Sequence, residues 1–372
     1  MKIFLVLLIL LAVVCVGALP SEARRVHLAP EQKLQLAKAQ TVLVEVLALT
    51  EKGAQDATPL TATVTERLQE IGYTVTTDRS QPHDVEVKVK CEEQKTVTGT
   101  SPTGGDVELA DAPDRLWKGP ACLLTYFLHN RDLQWQKEVR TTFSDARQAA
   151  QKAGVDDAGQ FALDQLNQRL KEYDFPVQLS AEWGQIDRLL GLLDAATTPK
   201  LRKVKILSVL SDVHAEEALP QLTKLLESTD LQLETINALS GAGADSIPLL
   251  IDLFQTSTKS TIKAEAAKTL GNVAATTGDP RTIPPLVQYV SARLPQIKTP
   301  EDIDFPVLTE VVWAIGKLRW APALKPISDL QEKIWLIHDN SKEMADLREA
   351  ANWTYKAIDL QDAAMLKPSL IQ

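Results

Sequence analysis

Apolar and polar positions along the chain change their period twice, and the changes mark out three segments. The first is an apolar run from Ile3 to Gly17. It follows Lys2 and ends in small and helix-breaking residues, Ala18, Pro20, Ser21 and Ala23. A basic start, a short apolar core and a small-residue end form the layout of a secretory signal peptide, assigned to residues 1–23. Two cleavage points fit, after Ala18 and after Ala23. The second is preferred because Pro20 breaks the apolar helix just before it. The rival, an uncleaved membrane anchor, is disfavoured by length, since a span needs about 20 apolar residues. Cys15 does not make a lipidation site, because Val14 and Ala12 stand where a small residue and a leucine are wanted.

The second segment, 24–178, mixes helical and strand periods. A polar helical lead-in (26–39) precedes TVLVEVLAL (41–49), whose β-branched residues predict a buried strand. Pro59 opens a helix with Leu60, Val64, Leu68 and Ile71 on one stripe, and Gly72 ends it. A strand follows over 73–77. In 85–91, Val85, Val87, Val89 and Cys91 alternate with Glu86, Lys88 and Lys90, which predicts a strand with one wet face. The glycines and prolines of 94–120 predict a long loop. Strands over 122–128 and 135–143, joined through His129-Asn130-Arg131-Asp132, predict a hairpin. A last helix turns Phe161, Leu163, Leu166 and Leu170 to the sheet. The predicted fold is α+β: a small, mostly antiparallel sheet with two helices on one side.

From about Trp183 the period is helical throughout, and a repeat emerges over 183–360, leaving 361–372 as a tail. Helix starts share a pattern in Ala218-Leu219-Pro220-Gln221-Leu222, Ser246-Ile247-Pro248-Leu249-Leu250, Thr282-Ile283-Pro284-Pro285-Leu286 and Ala323-Leu324-Lys325-Pro326-Ile327. Proline in the first turn forfeits no helical hydrogen bond. Helix ends share small residues in Ser208-Val209-Leu210-Ser211, Asn237-Ala238-Leu239-Ser240-Gly241, Lys268-Thr269-Leu270-Gly271-Asn272 and Trp313-Ala314-Ile315-Gly316-Lys317, which let neighbouring helices approach and can supply glycine caps. The equivalent positions Leu210, Leu239, Leu270 and Ile315 are 29, 31 and 45 residues apart. The long step holds Pro295, Pro300 and Pro306 and is a regular repeat plus an inserted loop. Such periods predict a helical solenoid. On these Leu-Gly and Ile-Pro signatures the segment resembles the HEAT-repeat family, closest in look to bacterial repeats of the phycobilisome-lyase type. The resemblance implies an all-α HEAT-like solenoid and a concave binding surface, and says little about what is bound.

Composition narrows function by exclusion. The 372 residues carry 40 Lys and Arg against 49 Asp and Glu, a formal charge of −9, and 44% are hydrophobic. That balance argues against nucleic acid and against attraction to anionic lipid, both of which need basic surface. Cys91 and Cys122 form an even pair beyond the signal, which in an exported chain predicts a disulfide. None of the five histidines sits in a metal-ligand pattern. The iron-binding HEAT-like family of deoxyhypusine hydroxylases uses His-Glu pairs, and no His-Glu dipeptide occurs here. No catalytic motif and no cofactor is therefore expected.

Four of the seven tryptophans, Trp313, Trp320, Trp335 and Trp353, fall in the last two repeats. On a helix over 307–320, Leu308, Val311, Val312, Ile315 and the stem of Arg319 define the core face. Trp313, Lys317 and Trp320 lie together away from that face, as repeat packing or as a partner-binding patch. The reading is an exported protein-binding scaffold of the periplasm or cell envelope, alternatively secreted. Two alternatives stay open: a maturation factor or lyase-like enzyme that holds a substrate protein, and an envelope subunit anchored by an uncleaved signal.

Overall fold

The computed structural model describes residues 28–98 and 116–365. The signal peptide and its cleavage points lie outside the described residues. The chain divides into two compact units, Met1–Tyr173 and Asp174–Gln372. The boundary precedes the one predicted at 178–183, because helix Phe175–Glu182 packs with the helices that follow it. Among the described residues no helix is long and apolar enough to cross a membrane.

The first unit is an α/β assembly around one mixed sheet. Its elements are α1 (Pro30–Lys38), β1 (Thr41–Thr50), β2 (Gly53–Gln55), α2 (Thr58–Gln69), β3 (Thr74–Thr76), β4 (Val85–Thr98), β5 (Leu116–Leu128), β6 (Arg131–Arg140), α3 (Ala146–Ala153) and α4 (Ala158–Glu172). Strand order is β2-β1-β4-β5-β6, with β3 also on β1. The hairpin partners are antiparallel as predicted, but β1 runs parallel to both β3 and β4. Helix α2 returns the chain to the same end of the sheet, and a crossover of that kind makes parallel neighbours. On one sheet face Val42, Val44, Val85, Val87, Cys91, Leu124 and Tyr126 are buried, and Leu60, Val64, Leu68, Leu163, Leu166 and Leu170 of α2 and α4 are buried with them. These two helices touch each other and the sheet.

Three local expectations are corrected. The loop predicted over 94–120 is shorter, since β4 and β5 pair out to Thr98 and Leu116. Gly119 and Pro120 stand in β5 near the irregularity at Glu92/Lys95, where the ladder is interrupted anyway. The hairpin turn is also tighter: His129 and Asn130 both take positive φ, 50° and 60°, as a two-residue turn between right-twisted strands requires. On the face predicted wet, Glu86 is only 4% exposed. Arg79 (3.0 Å) and Lys88 (3.3 Å) neutralise it, so the charge is enclosed by partners that alternation alone does not reveal.

The second unit is all helical: α5 (Phe175–Glu182), α6 (Ile186–Asp194), α7 (Lys200–Asp212), α8 (Leu219–Leu225), α9 (Gln232–Ala238), α10 (Ile247–Thr256), α11 (Ser260–Thr277), α12 (Ile283–Arg293), α13 (Phe305–Leu318), α14 (Leu324–Leu336) and α15 (Lys342–Met365). The last helix runs into the predicted tail. Short 3₁₀ turns at Glu216–Ala218, Gly243–Ser246, Pro280–Thr282 and Ala321–Ala323 join α7 to α8, α9 to α10, α11 to α12 and α13 to α14. Pro220, Pro248 and Pro284 fall in the first turn of their helices, as predicted. Helices α7, α9, α11, α13 and α15 pack each on the next. The repeat register places Leu210, Leu239, Leu270 and Ile315 at one equivalent position, and all are at most 1% exposed.

The small residues beside those positions serve close approach rather than capping. A Cβ on Gly271 would lie 2.7 Å from the Ala314 Cα of α13, and one on Gly316 would overlap the Trp353 ring and Thr354 Oγ1 of α15. Left-handed φ falls instead at Gly243, Gly278 and Arg319. Thr354 Oγ1 donates to the Val312 carbonyl (2.9 Å), tying α15 to α13 where the helices meet. Gly271→Ala should therefore destabilise by about 1–3 kcal/mol, since overpacking against backbone outweighs the gain in helix propensity. Thermal unfolding of that variant measures this directly, and an unchanged or raised melting temperature contradicts the close approach of α11 and α13.

Candidate partner-binding surface

Helix α13 forms because Pro306 opens its first turn and Val307, Leu308, Val311, Val312 and Ile315 bury one broad face. On the side away from that face stand Glu310, Trp313 and Lys317, all half-exposed. The spacing of three and four residues stacks them on successive turns. Trp313 is packed against the core at its inner edge and meets Trp353 of α15 at a centroid distance of 5.0 Å. The Lys317 ammonium donates to Asn272 Oδ1 of α11 (2.7 Å). On the same side of α11, the Lys268 ammonium donates to Glu265 (3.3 Å).

Trp320 does not share this stripe. The helix ends at Leu318, Arg319 turns left-handed at φ 50°, and Trp320 opens the next 3₁₀ turn, 38% exposed. The predicted helix over 307–320, with both tryptophans two turns apart on it, is thus corrected. Periodicity carried no sign that Arg319 would leave the helical region. Trp335 is 61% exposed near the end of α14, with Arg348 over its ring.

Glu310 is the residue that sequence reading missed. Among the described residues its carboxylate has no hydrogen-bond or ion-pair partner. Burial pushes its pKa up, while Lys268 and Lys317 act on it only through their charge. Burial likewise pushes the Lys317 ammonium down. A signal existed in the repeat register, because Glu234, Glu265 and Glu310 each stand five residues before the equivalent positions Leu239, Leu270 and Ile315.

In the first unit, Cys91 and Cys122 lie directly opposite each other on β4 and β5 and form a disulfide with S–S 2.03 Å. A cleft of about 600 Å³ in that unit is lined by Glu51, Lys52, Arg147 and Asp157 among others. Its charges neutralise one another, Lys52 with Asp157 (2.6 Å) and Arg147 with Glu51. No cluster of three or more potential metal ligands occurs among the described residues.

No protein-family model matches the chain, and no curated protein matches it with significance. Among solved structures, the chain is similar to two engineered proteins known from crystal structures. One is 21% identical over 50% of this chain and 84% of its own, and the other 19% identical over 57% and 63%, each with a TM-score of 0.33.

Proposed function

We propose that the protein is an exported protein-binding scaffold of the cell envelope, and that its helical unit is a HEAT-like solenoid. Its partner docks along α11, α13 and α15. The observation that carries this reading is the stripe Glu310-Trp313-Lys317, a mixed polar and aromatic surface that the apolar core leaves half-exposed. Aromatic anchors flanked by positioned polar groups form the centre of protein interfaces. Helices stacked in register offer such a surface continuously rather than at one point. The buried disulfide supports an oxidising compartment, where such bonds persist.

Crosslinking of the protein in its native envelope, read by mass spectrometry, should place partner crosslinks on α11, α13 and α15. Trp313→Ala and Lys317→Ala should each weaken partner capture by about 1–3 kcal/mol. Lys317→Ala leaves the apolar core intact and removes only the bond to Asn272, so stability should fall by no more than about 1 kcal/mol. Trp320→Ala, at the margin of the stripe, should have the smaller effect. Crosslinks confined to the first unit, or capture that falls only as stability falls, would overturn the proposal.

A further inference from the structure

The partner-binding reading leaves open what the partner offers, and the charges on the stripe bear on that. Glu310 has no hydrogen-bond or ion-pair partner among the described residues, and the same holds for Glu234 on α9. Glu265, at the equivalent position between them on α11, shares its charge with Lys268 at 3.3 Å. Lys317, the other nearby cation, is committed to the neutral Asn272 amide at 2.7 Å rather than to Glu310. One turn from Glu310 lies the half-exposed Trp313 ring, backed by Trp353 at 5.0 Å. A carboxylate beside an aromatic ring suits an ammonium or guanidinium group, which gains an ion pair and a cation–π contact together. No group of this chain among the described residues fills that place.

The spacing adds a second constraint. Helices α9, α11 and α13 pack in succession, so their equivalent glutamates recur at the interaxial distance of packed helices, about 8–10 Å. A polypeptide extended in the polyproline II conformation makes three residues per turn and advances about 3.1 Å per residue, so every third side chain returns to the same side at about 9 Å. The row ends at α7, where Lys205 occupies the position of the glutamates. Resting on the partner-binding reading, we propose that the surface takes an extended basic segment of a partner protein. The lysine or arginine side chains of that segment recur at every third residue and meet Glu310, Glu265 and Glu234 in turn. Glu310 is the strongest contact of the three, being already half-buried and unpaired.

The test uses the full mature chain and labelled nine-residue peptides in a glycine-serine background, followed by fluorescence polarisation. One peptide carries lysine at every third position, a second carries glutamate there, and a third carries its lysines side by side. The spaced-lysine peptide should bind best, and Glu310→Gln should weaken it about tenfold. Raising salt should weaken it too, because the contact is ionic. Acidifying the solution should do the same, since burial raises the pKa of Glu310 and protonation removes the charge that holds the cation. Glu310→Gln keeps shape and loses no internal partner, so its melting temperature should not fall. Glu332→Gln, the same charge change at an exposed site on α14, should leave binding unchanged. Equal effects of the two substitutions, preference for the glutamate peptide, or no binding of any peptide would each overturn the inference. The crosslinking result above then decides separately whether the surface binds a partner at all.

Discussion

Leu270→Ala is expected to cost about 2–5 kcal/mol, because the side chain is fully buried and its removal leaves a cavity that stacked helices close only in part. Leu270 sits in α11, which touches α9, α10 and α13. The loss should therefore not stay local. Where each helix pair is supported by its neighbours, destabilising one unit weakens the adjoining ones. Chemical denaturation of the variant measures the total. Native-state hydrogen exchange shows where it falls, with faster exchange expected in α9 and α13 as well as α11. A change below about half a kcal/mol would mean that the repeat register is wrong, since a surface leucine costs no more than that.

Removing the disulfide is expected to cost roughly 3–4 kcal/mol, the loop-closure value for the 31-residue separation between Cys91 and Cys122. Both cysteines are fully buried and join β4 to β5 beside the irregularity at Glu92/Lys95, where the ladder is weakest. A Cys91→Ala/Cys122→Ala variant should melt lower than the oxidised protein and be indifferent to reductant, whereas the native chain should lose stability when reduced. Mass spectrometry of protein recovered from the envelope should find neither thiol free. Free thiols there would contradict both the bond and the oxidising compartment.

Several elements were legible without tertiary information because local chemistry dictates them. The alternation of Val85, Val87, Val89 and Cys91 declares a strand with one buried face, and the structure buries all four. Prolines at 220, 248 and 284 declare helix starts, since only a first turn tolerates a missing N–H. Leu210, Leu239, Leu270 and Ile315 could be aligned because stacked helices ask the same residue type of each equivalent position. Cys91 and Cys122 could be paired because each sits at the end of a predicted strand bordering the same connection.

What only the tertiary structure decided concerns groups whose neighbours are far away in sequence. Whether β1 runs parallel to β3 and β4 depends on how α2 crosses the sheet, and the residues of β1 do not encode it. Glu86 shares the alternation of Lys88 and Lys90, yet is buried because Arg79 reaches it from a separate loop. Trp320 leaves the stripe of Trp313 because Arg319 takes a left-handed conformation that periodicity cannot register. Glu310 and Lys317 are seven residues apart on one helix, but their state is set by α11. Asn272 holds the lysine, burial strips water from the carboxylate, and nothing among the described residues replaces it. Sequence thus determined the elements and their repeat, through backbone propensity and apolar period. The tertiary structure decided which polar groups find a counterpart within the described residues, because hydrogen bonds and ion pairs depend on distances that only the packed helices set.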